Sequence, residues 1–191
     1  MKKTLVLCVA VLLLTLMGCA KEQEDSDAIK LEKYAYIYQT VSDNDSYLDA
    51  AKYYDLNIVM SYEEAGYYRY DIVIDSPKRA MYDIQVMAIE NNLDYSLNNK
   101  MMPTIGIFED DSYNMVPNQV DASRGYVKGL ILSGTTDSPI VNLKIRVSYK
   151  DYLLVRETNE YYNITVDYDS MYAGSEVSEE NTEEVSADEG N

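Results

Sequence analysis

Val141-Asn142-Leu143-Lys144-Ile145-Arg146-Val147-Ser148-Tyr149 is the stretch of sequence that decides the fold class. Every second side chain in it is apolar, and the side chains between them are polar. Successive side chains of a β-strand point to opposite faces, so this alternation predicts a strand with one buried face and one face in water. The same alternation occurs in residues 163–168, 68–72 and 82–86.

Residues that favour turns separate these segments. They are Gly66, Ser76-Pro77, Asn91-Asn92, Asp110-Asp111-Ser112, the stretch 134–139 and Thr158-Asn159. Short strands at this spacing predict an all-β fold, an antiparallel β-sandwich. The stretch before residue 55 is less regular. Residues 34–38 alternate as a strand does, whereas residues 46–54 are compatible with one short helix capped by Asp45 or Ser46.

The N-terminus has the pattern of an export signal. Met1-Lys2-Lys3 precedes an apolar run over residues 5–17, which is shorter than the about 20 residues that span a bilayer. Leu16-Met17-Gly18-Cys19 resembles the lipobox of bacterial lipoproteins. The resemblance implies cleavage before Cys19, diacylglycerol on its thiol and anchoring to the outer face of the cell membrane. An outer membrane stays open as the destination if the organism has one. A secretory signal with a chance cysteine, or an uncleaved anchor, is the competing interpretation.

These patterns divide the chain into four parts. Residues 1–18 are the lipoprotein signal peptide, 19–29 the lipid-anchored tether, 30–173 the β-sandwich domain and 174–191 a disordered acidic tail. Cys8 is lost with the signal peptide, so Cys19 is the one cysteine of the mature chain and a disulfide is not expected.

The charge and the composition exclude several functions. The formal net charge of -17 argues against a nucleic-acid partner. The absence of histidine removes Ser-His-Asp and Cys-His catalysis and the commonest zinc ligand. We therefore expect no catalytic residues and a protein that is not an enzyme. A pair among the 33 acidic residues, as in a carboxylate-dependent glycan hydrolase of the envelope, stays open.

Three tyrosines form a candidate ligand-binding site. Tyr34, Tyr36 and Tyr38 would make a flat aromatic platform for a sugar ring or a partner protein if they share the exposed face of an edge strand. Packing is their alternative role, because the sequence has 20 Tyr, one Phe and no Trp. Tyrosine therefore has to stand in for the scarce aromatic residues of a core.

Three aspartates form a candidate metal site. Asp43, Asp45 and Asp49 place carboxylate oxygens close together in the sequence, and such oxygens are the ligands that Ca²⁺ prefers. Solvated turns use the same residues, which is the alternative interpretation. We expect no cofactor apart from this Ca²⁺.

A resemblance to a known family supports the fold. The strand 82–89 runs into Glu90-Asn91-Asn92, Gly125-Tyr126-Val127 and Gly134 follow, and the strand 140–149 comes next. With these features, residues 67–168 resemble the immunoglobulin-like domain of uncharacterised lipoproteins from Gram-positive bacteria. The resemblance implies an immunoglobulin-like sandwich on a lipid anchor and carries over no functional residue.

These observations lead to one expected function and one alternative. We expect a non-catalytic cell-surface binding domain, held to the membrane through Cys19, whose partner is an envelope protein or glycan. The alternative is a carbohydrate- or solute-binding lipoprotein that uses exposed tyrosines.

Overall fold

The computed structural model describes residues 26–93 and 100–172. The lipobox with Cys19 and the acidic tail 174–191 lie outside the described residues. Within the described ranges, no helix combines the length and the apolar character that a membrane crossing requires.

In the described residues, seven strands form two antiparallel sheets. The strands are β1 (Asp55–Glu63), β2 (Tyr67–Asp75), β3 (Tyr82–Glu90), β4 (Thr104–Ile105), β5 (Gly129–Thr136), β6 (Ile140–Lys150) and β7 (Glu157–Asp167). The first sheet has the order β1-β2-β5 and the second the order β4-β3-β6-β7. The chain therefore crosses between the sheets after β2, after β4 and after β5, as in an immunoglobulin-like sandwich. The predicted fold class is confirmed.

The core lies between the two sheets and follows the predicted alternation. The side chains of β6 that point inward are all buried, and they are Val141, Leu143, Ile145, Val147 and Tyr149. They pack against the inward side chains of β2, among them Tyr70 and Ile72. Full burial of an apolar side chain of this size contributes about 2 kcal/mol, so this row is a main source of stability.

A helix covers the outer face of the second sheet. This helix, α1, occupies residues 26–43. Its buried side chains are Tyr34, Ile37, Tyr38 and Val41, a spacing that lines one face of a helix. They form a second apolar cluster with Met87 and Ile89, the outward side chains of β3. The second sheet is therefore covered on both faces, by the first sheet on one and by α1 on the other.

Three predictions for the start of the chain are wrong. Residues 34–38 are helical rather than a strand, the helix already occupies residues 26–29 of the predicted tether, and residues 46–54 contain no helix. The alternation of Tyr34, Tyr36 and Tyr38 is too short to identify a strand, because apolar residues at helical spacing extend over a longer stretch. Instead of forming a helix, the segment after α1 attaches to β7 through the Leu48 N–H, which donates to the Tyr161 carbonyl at 2.8 Å.

The outer face of β6 is less exposed than its alternation predicts. Arg146 and Ser148 point away from the core, where a wet face was predicted, yet both are buried. Both donate to Oε1 of Glu157 on β7, at 3.0 Å from Arg146 Nη2 and 2.8 Å from Ser148 Oγ. Arg146 Nη2 and Ser148 Oγ are therefore satisfied by a neighbouring carboxylate, whereas Arg146 Nη1 is buried without a hydrogen-bond partner among the described residues.

Gly134 of β5 makes room for the core tyrosine opposite it. Gly134 pairs with Tyr70 in the register of β5 and β2, and a Cβ atom at Gly134 would lie 2.1 Å from the hydroxyl oxygen of Tyr70. Because Tyr70 is fully buried, its ring cannot move aside without disturbing the core. We expect Gly134→Ala to lower the free energy of unfolding by about 3 kcal/mol in urea denaturation.

A second background provides the control for this prediction. In a Tyr70→Ala variant the ring is gone, so adding Gly134→Ala is expected to cost little further stability. An equal loss in both backgrounds would show that the Tyr70 ring is not the obstacle.

Candidate interaction surface

Four tyrosine rings contact one another in series at one end of the sandwich. The series runs Tyr62, Tyr68, Tyr168, Tyr172, and we call it the tyrosine row. Successive ring centroids are 4.9, 5.2 and 4.9 Å apart, and successive ring planes are inclined by 58°, 61° and 47°. Such distances and tilts are typical of attractive aromatic contacts.

Strand register places the first two tyrosines of the row. Tyr62 of β1 is the register partner of Tyr68 of β2, so the two side chains lie side by side. They continue the inward-facing rows that contain Met60 and Tyr70, at the point where these rows leave the core. The core therefore extends to the surface as aromatic rings.

A short helix supplies the other two tyrosines. This helix, α2 (Tyr168–Tyr172), begins where β7 ends, and Tyr168 and Tyr172 lie one turn apart on it. The Asp167 carboxylate accepts from the Ser170 hydroxyl at 2.8 Å and from the Asp169 N–H at 3.1 Å, which caps the first turn. The Tyr172 hydroxyl donates to the Met60 carbonyl at 3.0 Å, which attaches the helix to β1.

The tyrosine row has exposed ends and a supported middle. Tyr62 is 55% exposed and Tyr172 is 42% exposed, whereas Tyr68 and Tyr168 are half-buried and pack on the core. Desolvation, and next the nearby Asp169 carboxylate, raise the pKa of Tyr68 above its ordinary value. The row thus offers neutral aromatic surface that is held in place from below.

Two carboxylates that are candidates for chemistry lie instead inside the sandwich. Glu160 of β7 accepts from the hydroxyls of three buried tyrosines, Tyr54 at 2.7 Å, Tyr149 at 2.9 Å and Tyr162 at 2.7 Å. The hydroxyls of Tyr54 and Tyr162 are also 2.8 Å apart. Burial, followed by hydrogen bonding within this cluster, raises the pKa of Tyr54 far above its ordinary value. The cluster joins β6, β7 and the segment before β1.

The second buried carboxylate lies toward the other end of the core. Glu90, at the end of β3, accepts from the Tyr70 hydroxyl at 2.9 Å and from the Lys100 ammonium at 2.6 Å. Lys100 also donates to the Thr135 carbonyl of β5. Burial and then the charge of Glu90 raise the pKa of Tyr70. This cluster connects the two sheets and, like the first, serves the fold.

The structure does not bring Tyr34, Tyr36 and Tyr38 together on one face. Tyr34 and Tyr38 lie on the buried face of α1. The Tyr34 hydroxyl accepts from the Met102 N–H at 2.8 Å, and the Tyr38 hydroxyl donates to the Leu93 carbonyl. Tyr36 points to solvent and is 73% exposed. A flat three-ring platform is therefore excluded, because a helix points alternate residues in different directions.

The predicted calcium ligands are all exposed. Asp43 accepts from the side-chain amide of Gln39 at 2.7 Å at the end of α1, and Asp45 and Asp49 lie on the irregular segment that follows. Among residues 26–93 and 100–172 there is no group of three or more acidic, cysteine or histidine side chains with the geometry to hold a metal ion. Calcium binding stays a prediction, and melting temperatures measured with and without Ca²⁺ would test it.

Comparison with known families, curated proteins and solved structures gave no match. The tyrosine row is therefore the surface feature on which a functional interpretation depends. Sequence reasoning missed it because the row joins the β1–β2 hairpin to α2, which lies about a hundred residues further along the chain. The cap residue Asp167 with tyrosines at positions 168 and 172 was the available signal for α2.

Proposed function

We propose that this protein is a non-catalytic cell-surface lipoprotein whose immunoglobulin-like domain binds a partner protein through the tyrosine row. The observation that carries the proposal is the row itself: four contacting rings, two of them exposed, on a rigid support. Tyrosine is enriched at protein interfaces because it adds large contact area with little loss of side-chain freedom.

The direction of α1 supports this assignment. Lys30, near its start, pairs with Asp110 at 2.6 Å, whereas the Ser42 carbonyl near its end accepts from Lys144 of β6 at 3.2 Å. β6 runs from the end of the sandwich that carries the tyrosine row toward the β6–β7 turn, and Lys144 lies in its first half. The loop that leads to Asp110 lies against Gln85, the register partner of Ser148 near the turn, so α1 starts toward the turn end. A chain held by lipid at Cys19, seven residues before residue 26, would present the row away from the membrane.

The tilt of the rings favours a protein over a polysaccharide as the partner. Adjacent planes differ by 47° to 61°, so the rings form a ridged surface into which side chains of a partner fit. A flat sugar would stack on one ring at a time. Tyr62, the most exposed ring of the row, is where such stacking would occur, and it keeps a carbohydrate-binding lipoprotein as the second candidate.

A pull-down with matched variants tests the proposal. We expect the double variant Tyr62→Ser/Tyr172→Ser to recover at least about tenfold less of a specific envelope protein than the unchanged protein, since interface tyrosines often contribute more than 1 kcal/mol each. Tyr36→Ser is the control, because Tyr36 is also exposed but lies on α1. Equal recovery with both variants, or no specific protein in any sample, would contradict the proposal.

A rise in melting temperature with an envelope glycan, lost in Tyr62→Ser, would favour the second candidate.

A further inference from the structure

The turn between β6 and β7 exposes four consecutive apolar side chains. Tyr152, Leu153, Leu154 and Val155 are between 57% and 83% exposed, and they occupy the tip of the hairpin. We call this segment the apolar tip. Exposure of such a run to water is unfavourable, and proteins seldom keep one on the surface unless it contacts a partner or a membrane.

The backbone of the turn is well ordered by its own polar groups. The Asp151 N–H donates to the Arg156 carbonyl at 3.0 Å, and the Leu154 N–H donates to the Asp151 carbonyl at 2.9 Å. The Asp151 carboxylate accepts from the Val155 N–H at 3.3 Å. The polar groups are therefore turned inward, and the apolar side chains are turned outward.

Leu154 occupies a conformation that glycine or asparagine adopts at lower cost. Its φ is 59°, in the left-handed region. For this backbone conformation alone, glycine or asparagine would be the more favourable residue. The presence of leucine is explained if its exposed side chain has a binding role.

The apolar tip lies at the same end of the sandwich as the start of α1. Gly106, in the loop that leads to Asp110, packs against Gln85 of β3, and Gln85 is the register partner of Ser148 near the end of β6. Asp110 in turn pairs with Lys30 of α1. Cys19 precedes residue 26 by seven residues, which span at most about 25 Å. A lipid on Cys19 is therefore held within about 25 Å of residue 26, at the end of the sandwich that carries the apolar tip.

We propose that the apolar tip inserts into the interfacial layer of the phospholipid bilayer to which the chain is anchored. The inference rests on the proposed lipid anchor at Cys19. Tyrosine and aliphatic side chains together are suited to the boundary between headgroups and acyl chains. Arg156 is exposed at the base of the hairpin, where anionic headgroups would lie, whereas Lys150 on the other strand is paired with Asp83 at 2.6 Å. Because the anchor keeps the tip close to the bilayer, even a weak affinity suffices to hold the domain in one orientation.

The absence of tryptophan makes the insertion measurable with a single probe. Residues 19–191 are coupled at Cys19, their one cysteine, to a maleimide phospholipid in vesicles of phosphatidylcholine with a minor fraction of phosphatidylglycerol. Leu153→Trp places the probe in the apolar tip. Ile131→Trp is the matched control, because Ile131 is similarly exposed on the outer face of the first sheet. Unchanged melting temperatures establish that both variants fold.

We expect brominated lipid to quench Leu153→Trp at least about threefold more strongly than Ile131→Trp, with a shift of its emission to shorter wavelength. Equal quenching of the two probes would overturn insertion, whatever is found about the anchor. The anchor is tested separately by metabolic lipid labelling of the full chain in a bacterium, with Cys19→Ser as its control. Absence of label from Cys19 would overturn the anchoring proposal, whatever is found in the vesicles.

Discussion

Replacing Glu160 by alanine is expected to lower the free energy of unfolding by about 4 kcal/mol. The hydroxyls of Tyr54, Tyr149 and Tyr162 would all lose the carboxylate that accepts from them, and each buried hydroxyl left without an acceptor costs about 1 kcal/mol or more. The removed side chain would also leave a cavity in the core. Urea denaturation followed by circular dichroism measures the loss.

Two further variants separate the carboxylate from general effects of substitution. Glu160→Gln keeps the shape and one carbonyl acceptor, so we expect a smaller loss than with alanine. Glu64→Ala changes an exposed glutamate in the turn after β1 and is expected to alter stability by no more than about 0.5 kcal/mol. Losses of the same size in Glu160→Ala and Glu64→Ala would show that Glu160 does not hold the tyrosine cluster together.

Four strands of the sandwich, β2, β3, β6 and β7, could be predicted because the sequence of each has a local period of two. β6 is the clearest case, since its five inward side chains are apolar and all of them are buried. The helix α1 could not be identified from residues 34–38 alone, because a short alternation of tyrosines fits either element. The burial of Arg146 and Ser148 could not be predicted either, because the alternation of β6 does not show whether its outer face is covered.

The buried carboxylates could have been found by extending the alternation of a strand to its end. Ile164 and Val166 set the inward row of β7, and counting back in steps of two gives Tyr162 and Glu160. Glu90 follows in the same way from the inward row of β3. The tyrosine row could not be found by extending a strand pattern. It depends on how α2 packs against β1, and such tertiary packing leaves no local pattern in the sequence.

Four core tyrosines make the fold sensitive to alkali. Burial, aided by hydrogen bonds and nearby carboxylate charge, raises the pKa of Tyr54, Tyr70, Tyr149 and Tyr162 above the ordinary value of about 10. The unfolded chain therefore releases these protons at lower pH than the folded chain does. The stability is fully present below about pH 10 and is lost as the pH rises above it.

The expected loss is steep enough to unfold the domain. Each such tyrosine lowers the free energy of unfolding by about 1.4 kcal/mol per pH unit above its unfolded pKa, so four together give about 5 kcal/mol per unit. A domain of ordinary stability, about 5–15 kcal/mol, would then unfold within one to three units above about pH 10. The tyrosinate absorbance reports the event directly, because the sequence contains no tryptophan.

Tyr54→Phe removes one of the four protons, so it should reduce the slope of stability against pH by about a quarter after its own loss of stability is subtracted. Tyr36→Phe, at an exposed tyrosine of α1, is the control for the substitution itself. If all tyrosines titrate together near pH 10 while circular dichroism stays native, the four hydroxyls are not buried as described.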